Sequence, residues 1–269
     1  MRRIATFVLL LTSCVWTANG LASENRIVQP RAEEKVRPIA RVQVGGMFGE
    51  RLDLWRRHRL WRVGRDPFLL DGFQSPPGEH PWQGEHVGKW LHAATLACDA
   101  TQDKRMGELL RKTVDHLVAA QHANGYLGTY APEKRFTNLK DKSAKWSWDV
   151  WTHRYLIYGL LVYDRFCDHP AAVDACVRMG DLLMESFGPG KRDVTEIGTR
   201  HGLSSAVLLE SMVMLYARTG QERFLRFAEH IVQCIDRNPQ LRLTTHIPHL
   251  RLKVRRPSGG MPSSRSNVC

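Results

Sequence analysis

Four stretches carry the side chains whose types and spacing could do chemistry. "GEHVGKWLHAATLA" (84–97) opens on Glu85 and His86 and follows with Lys89 one helical turn on. "WSWDVWTHRY" (146–155) sets three of the eight tryptophans beside Asp149 and His153. Tyr126 lies in "NGYLGTY" (124–130), and His201 heads "HGLSSAVLLESMVMLYARTG" (201–220). Carboxylates and imidazoles hold and move protons, and flat aromatic rings offer apolar faces to a sugar ring. Read as a helix from about Trp148, at roughly 100° per residue, the second stretch puts Trp148, Trp151, Tyr155 and Tyr158 on one stripe. Asp149, His153, Leu156 and Leu160 fall on the next. The expectation is that the tryptophans are mainly packed, while Asp149 orients His153 at a pocket mouth near the positive helix end. The same spacings also serve blander ends. Tryptophans at helical spacing suit a core seam, Glu85 can simply complement a helix dipole, and Lys89 can be solvated.

The elements that must position these groups are helices. From Gly46 to Pro239 no run of period-two alternation stands out, and three segments repeat loosely at 96–118, 161–183 and 214–235. In each, a helix ends, a short polar turn follows and a second helix begins. Aligned on Asp103, Asp168 and Gln221, the apolar columns are Leu110/Ala175/Ala228, Val114/Met179/Val232 and Leu117/Leu182/Ile235. Units 65 and then 53 residues apart have the size of helix hairpins with one long loop. Stacked hairpins of that length imply an all-α fold of the α/α-toroid kind, whose inner helices ring a pocket; a plain bundle or solenoid is the competing reading. Two long connections, 121–146 and 187–202, both lead from an outer-type to an inner-type helix and so belong on one face.

Outside this span the composition changes. Residues 1–22 read as a secretory signal, with Arg2 and Arg3, an apolar run from Ile4 to Leu11 and small residues before a cut after Ala22. That places the protein outside the cytoplasm, secreted or periplasmic; "LTSC" offers lipid anchoring at Cys14 as the competing outcome. Residues 23–45 form an extended lead. Residues 240–269 contain no acid and end in Ser, Gly, Pro and Arg, as in a disordered basic tail or an out-of-frame extension. The net charge of +12 comes largely from these ends. Without the eight bases at 2–3 and beyond Gln240, 31 bases face 27 acids, which is no footprint for nucleic acid. Cys98, Cys167, Cys176 and Cys234 fall in helical patterns without C-x-x-C or zinc spacing, so buried thiols are the default expectation, with a single disulfide of unassigned pairing as the alternative. No G-x-S-x-G, P-loop, dinucleotide fingerprint or H-E-x-x-H occurs, which leaves acyl transfer, nucleotide chemistry and zincin-type hydrolysis without support.

Taken in order, "GEHVGKWLHAATLA", "NGYLGTY", "WDVWTHRYLIYGLL", "HGLSSAVLLESMVMLYARTG" and "ERFLRFAEHIV" resemble the amino-terminal half of the β-L-arabinofuranosidase family, glycoside hydrolase family 127, over about residues 41–239. The resemblance implies an (α/α)6 barrel, present here only in part over 46–239, and an arabinose-containing glycan as partner. It also implies, for full-length members, a cysteine nucleophile on zinc held by Glu-x-Cys and Cys-Cys motifs. Neither motif is in this sequence, so no catalytic residue, metal ligand or cofactor is expected in this chain. The substrate-binding candidates are Glu85, His86, Lys89, Tyr126, Trp148, Asp149, Trp151, His153 and His201. An open arc of hairpins would further expose apolar flanks prone to self-association. The competing functional class is a non-catalytic helical carbohydrate-binding or scaffold protein.

Overall fold

A computed structural model describes residues 44–137 and 147–243. The expected leader (1–22), nearly all of the extended lead and the tail from 244 lie outside the described residues, as does Trp146. Every regular element among the described residues is helical. The chain enters on α1 (Gly46–Leu54), passes through a π-helical turn (Trp55–Leu60) into α2 (Trp61–Gly64), and reaches α3 (Phe68–Gln74). Three hairpins follow: α4 (Glu85–Thr101) with α5 (Lys104–Ala120), α6 (Asp149–Cys167) with α7 (Pro170–Phe187), and α9 (Leu208–Thr219) with α10 (Glu222–Arg237). A single-turn α8 (Leu203–Ala206) precedes the third.

The three hairpin turns share one backbone solution. Gln102, Asp168 and Gly220 each adopt the left-handed conformation (φ 55°, 50° and 69°), which stops the first helix. The next residue leaves the helical region and starts the second helix. At Asp103 the carboxylate accepts from the N–H groups of Arg105 and Met106 at 3.1 and 3.2 Å, and at His169 the ring Nδ1 accepts from Ala172 N–H at 3.2 Å ahead of Pro170. The backbone therefore equates Asp168 with Gln102, one position away from the sequence alignment that paired it with Asp103. In α7 Ala175 and Met179 are buried as the spacing predicts, but at the third position Leu183 is fully buried where Leu182 was expected, and Leu182 is only half-buried. In the flanking hairpins Leu110, Val114, Leu117, Ala228 and Ile235 are buried as the spacing predicts, with Val232 half-buried.

Helices α4, α6 and α9 lie side by side, with α6 in the middle, and α5, α7 and α10 return antiparallel against them. The α4–α6 crossing is the tightest because both helices present glycine there. A Cβ on Gly88 would lie 2.2 Å from the Tyr155 carbonyl oxygen, and one on Gly159 would lie 2.5 Å from the Gly88 carbonyl oxygen. The backbones thus touch, and Val87, Leu91, Leu156 and Leu160 close around the contact without exposure. At the far end of α6 the buried Asp164 carboxylate accepts from Arg218 Nε of α9 at 2.5 Å and from the His169 N–H at 3.0 Å. Cys98, Cys176 and Cys234 are buried free thiols as expected, whereas Cys167 is disulfide-bonded.

Candidate functional site

The inner faces of α4 and α6 carry a stripe of aromatic and charged side chains, half-buried except for the buried Glu85. On α4 it runs through Glu85, Lys89 and His92, one helical turn apart, and on α6 through Trp151, Arg154, Tyr155 and Tyr158. Lys89 Nζ bonds Glu85 Oε1 at 2.6 Å and sits 4.5 Å from the Tyr155 ring centroid and 5.9 Å from that of Trp151. Arg154 lies over the Tyr155 ring at 4.2 Å and pairs with Glu210, the exposed acid at the start of α9. The Trp151 ring stands edge-on to Trp148 at 5.8 Å and to Tyr155 at 5.2 Å, and the His92 ring stands edge-on to Tyr158 at 4.6 Å. Both cations therefore lie close to the tyrosine ring, each fixed by its own carboxylate. Trp151 Nε1 and Arg154 Nε are buried donors without a hydrogen-bond partner among the described residues.

The residues before α4 extend the stripe. Trp82 is 46% exposed, its ring 4.8 Å from His80, and His80 packs 5.8 Å from His86. Partial burial holds the His86 and His92 imidazoles below the usual histidine range, although the Glu85 carboxylate pulls His86 the other way. Both rings are thus biased toward the neutral form, in which one nitrogen donates and the other accepts.

Tyr126, Asp149 and His153 occupy a different place, underneath. All three are fully buried, which reverses the expected division of the decapeptide: the polar pair is core, and Trp148 and Trp151 are half-buried. The Asp149 carboxylate does not orient His153. It accepts from the N–H of Phe136 at 2.6 Å and of Val150 at 3.0 Å, and so holds Phe136 in a left-handed conformation (φ 53°). His153 Nδ1 instead meets the Asp149 backbone carbonyl at 2.7 Å, while its Nε2 accepts from the Leu127 N–H at 3.4 Å. The reason is desolvation: with no water to reach them, both groups are satisfied by backbone from the loop that crosses above. Burial raises the Asp149 carboxyl to about 7 against the pull of its two N–H donors, and lowers the His153 ring to about 4. Tyr126 packs edge-on to His153 at 4.9 Å, and Arg135 lies over its outer face at 3.7 Å.

These buried groups serve to pin the long loop. Tyr130 donates its hydroxyl proton to the Pro81 carbonyl at 2.6 Å and accepts from the Trp148 N–H at 2.9 Å, which ties the loop to the starts of α4 and α6 together. Arg192 of the second long connection donates to the Phe136 carbonyl at 2.9 Å, so the two connections do meet on one face. His201 stands apart from the stripe: it is exposed at positive φ (59°), and its carbonyl accepts from Asn238 Nδ2 beyond α10 at 3.0 Å. Gly202 stands at the N-cap of α8, while the Ser204 and Ser205 hydroxyls are engaged with Thr199 and Ile197. Of the nine candidates, Glu85, His86, Lys89, Trp148 and Trp151 come together at the starts of α4 and α6. Tyr155 and Tyr158 of the expected aromatic stripe join them, as do Arg154, His92 and Trp82, which were not singled out from sequence. Arg154 and His92 continue the same helical periodicity by one turn, whereas nothing local marks Trp82.

Zinc does not fit the residues present. Among the described residues no three of His, Cys, Asp and Glu converge as ligands, and the free cysteines are dispersed and buried. Burial pushes Cys98 up to about 11 and Cys176 well above the ordinary thiol range, opposite to what a metal-bound thiolate needs. No step is therefore drawn through zinc.

Stacked antiparallel hairpins with an aromatic and charged inner stripe define an all-α fold of the α/α kind. The chain belongs to glycoside hydrolase family 127: residues 47–257 match the family described as β-L-arabinofuranosidase, GH127 catalytic domain. It is 26% identical over 168 residues to a non-reducing end β-L-arabinofuranosidase of Bifidobacterium longum, a match covering 59% of this chain and 24% of that protein. Its fold is similar to that of a GH127 β-L-arabinofuranosidase from Geobacillus stearothermophilus T6 (TM-score 0.59, 20% identity, 77% of this chain and 34% of that one). A second GH127 β-arabinofuranosidase gives a TM-score of 0.58 at 14% identity, covering 74% and 34%. The chain thus spans about a quarter of the length of the curated relative and about a third of each solved structure.

Proposed function

We propose that this chain is a partial family 127 catalytic domain that binds terminal β-L-arabinofuranosyl units of a glycan along the α4–α6 inner stripe, without itself holding the zinc–cysteine centre. The observation that carries this reading is the stripe: rings of Trp151, Tyr155 and Tyr158 held by Lys89 and Arg154, with two unpartnered donors, in a domain of an arabinofuranosidase family. Aromatic faces bind the C–H surface of a furanose, and fixed carboxylates, cations and neutral imidazoles suit its hydroxyls. Arginine and lysine already paired to Glu210 and Glu85 are preorganised, so little side-chain entropy is lost on binding. We also infer export on the strength of the leader-like residues 1–22, with Cys14 tethering as the variant of that reading, and self-association through exposed Leu203, Val213 and Leu243.

The division between binding and catalysis has a direct consequence. With p-nitrophenyl β-L-arabinofuranoside, the purified chain is expected to release nitrophenol at the background rate, with or without added zinc. Retaining hydrolysis needs a nucleophile and an acid facing one bond, and no described thiol is ionised and accessible. Zinc-dependent turnover abolished by replacing Cys98, Cys176 or Cys234 with serine would overturn this assignment.

A further inference from the structure

The outward face of α1 is apolar at one end and basic at the other. No residue of Gly46–Leu54 is buried, and Met47 and Phe48 are 65% and 70% exposed, with Leu52, Leu54 and Trp55 exposed beside them. At helical spacing Phe48, Arg51, Leu52, Trp55, Arg59 and Arg62 lie along that outward side, while Leu60 and Gly64 face the core. Arg56 is occupied by Asp53 and Asp103, and Arg57 by Asp53. Arg51, Arg59 and Arg62 are exposed and make no ion pair with a described acid.

We propose that α1 and the π-helical turn after it dock on an anionic lipid bilayer surface, the apolar amino-terminal end entering the acyl boundary and the three arginines meeting headgroup phosphates. The charge of the face selects this occupant. A soluble polyanion would engage the arginines but leave Met47, Phe48 and Leu52 in water. A second copy applied to the same face would bring arginine against arginine. Among the described residues no helix is long and apolar enough to cross a membrane, so the contact is interfacial.

The test is co-sedimentation of the full chain with vesicles of phosphatidylglycerol and phosphatidylcholine (1:1), beside vesicles of phosphatidylcholine alone. Binding is expected to the mixed vesicles, to weaken between 0.1 and 0.5 M salt, and to be far weaker on neutral ones. Replacing Arg51, Arg59 and Arg62 by glutamine is expected to cost about fivefold per residue, and Phe48→Glu with Leu52→Glu about tenfold or more. Both variants should keep the parent's far-UV circular dichroism, because none of these side chains is buried. Equal binding to neutral vesicles, or binding indifferent to both variants, would overturn the proposal. So would an association in sedimentation velocity that Phe48→Glu abolishes while vesicle binding is absent, which would give the face to a second copy.

Discussion

Between pH 7 and pH 4 the stability of the domain is expected to stay nearly flat where Asp149 and His153 control it, while Asp149→Asn and His153→Gln each impose a steep slope, of opposite sign. Asp149 is a carboxyl whose folded value, about 7, is raised by burial above its ordinary 3.8. Its contribution is fully present below about pH 4 and is lost as pH rises through 7, since the unfolded chain then releases a proton that the folded chain retains. His153 works the other way. Its folded value, about 4, is depressed from 6.5 by the same burial, so its contribution is present above pH 6.5 and lost as pH falls through 4. The windows overlap, and the proton that Asp149 gains on acidification offsets the one His153 refuses. Tyr126, Tyr130 and Arg135 also face Asp149, and their rings and guanidinium are common to all the variants. Asp149→Asn should therefore expose acid destabilisation of roughly 3 kcal/mol between pH 6.5 and 4, and His153→Gln should expose alkaline destabilisation of similar order between pH 4 and 7. Urea midpoints at pH 4, 5, 6 and 7 read both slopes. Parallel profiles for the parent and both variants would show that the pair does not titrate in opposition.

Gly88→Ala is expected to cost about 3 kcal/mol or more and to abolish a cooperative thermal transition. The added methyl would meet the Tyr155 carbonyl oxygen at 2.2 Å and its carbon at 2.4 Å. Those atoms belong to a helix backbone that cannot turn aside as a flexible side chain would. Relief requires α4 and α6 to separate, which opens Val87, Leu91, Leu156 and Leu160 together. In a helix that faces water the same change would stabilise, because alanine is the better helix former. The sign of the effect thus reports the crossing itself. Calorimetry that finds Gly88→Ala neutral or stabilised would show that the two helices do not touch in solution.

The hairpins were legible because their signals are local: apolar residues at helical spacing, and a polar turn at each reversal. The one-residue slip in the second hairpin has the same origin. The residue that must adopt the left-handed conformation is Gly in one turn but Gln102 and Asp168 in the others, so composition does not mark it. The stripe through Glu85, Lys89, Trp151 and Tyr155 was legible as a face of each helix, though not as one site. The pairing of Arg154 with Glu210 spans 56 positions and leaves no trace in either neighbourhood. Asp149 and His153 were read as a pair because i,i+4 spacing puts two side chains on one helix face. Their long-range partners are the N–H groups of Phe136 and Leu127, 13 and 26 residues earlier, and every residue but proline has such a group. The tight α4–α6 contact was hidden for a like reason: Gly88 and Gly159 acquire meaning only when placed opposite one another.

The measurement that bears most directly on sugar binding by the inner stripe is a titration of the ¹⁵N-labelled full chain with methyl β-L-arabinofuranoside, followed through the tryptophan indole resonances. Trp151 Nε1–H is a donor without a hydrogen-bond partner among the described residues, so an acceptor hydroxyl from the ligand should move its resonance strongly. The indole of Trp90, which already donates to the Leu60 carbonyl at 2.9 Å in the core, should stay still. Tyr155→Ala should weaken the response about tenfold or more, through loss of one stacking face of the order of 1.5 kcal/mol. A saturating shift of Trp151 that tracks added arabinofuranoside and weakens in Tyr155→Ala is the predicted result. An unmoved Trp151 indole at high ligand concentration, or shifts unaffected by Tyr155→Ala, would contradict the assignment of the stripe as the sugar site.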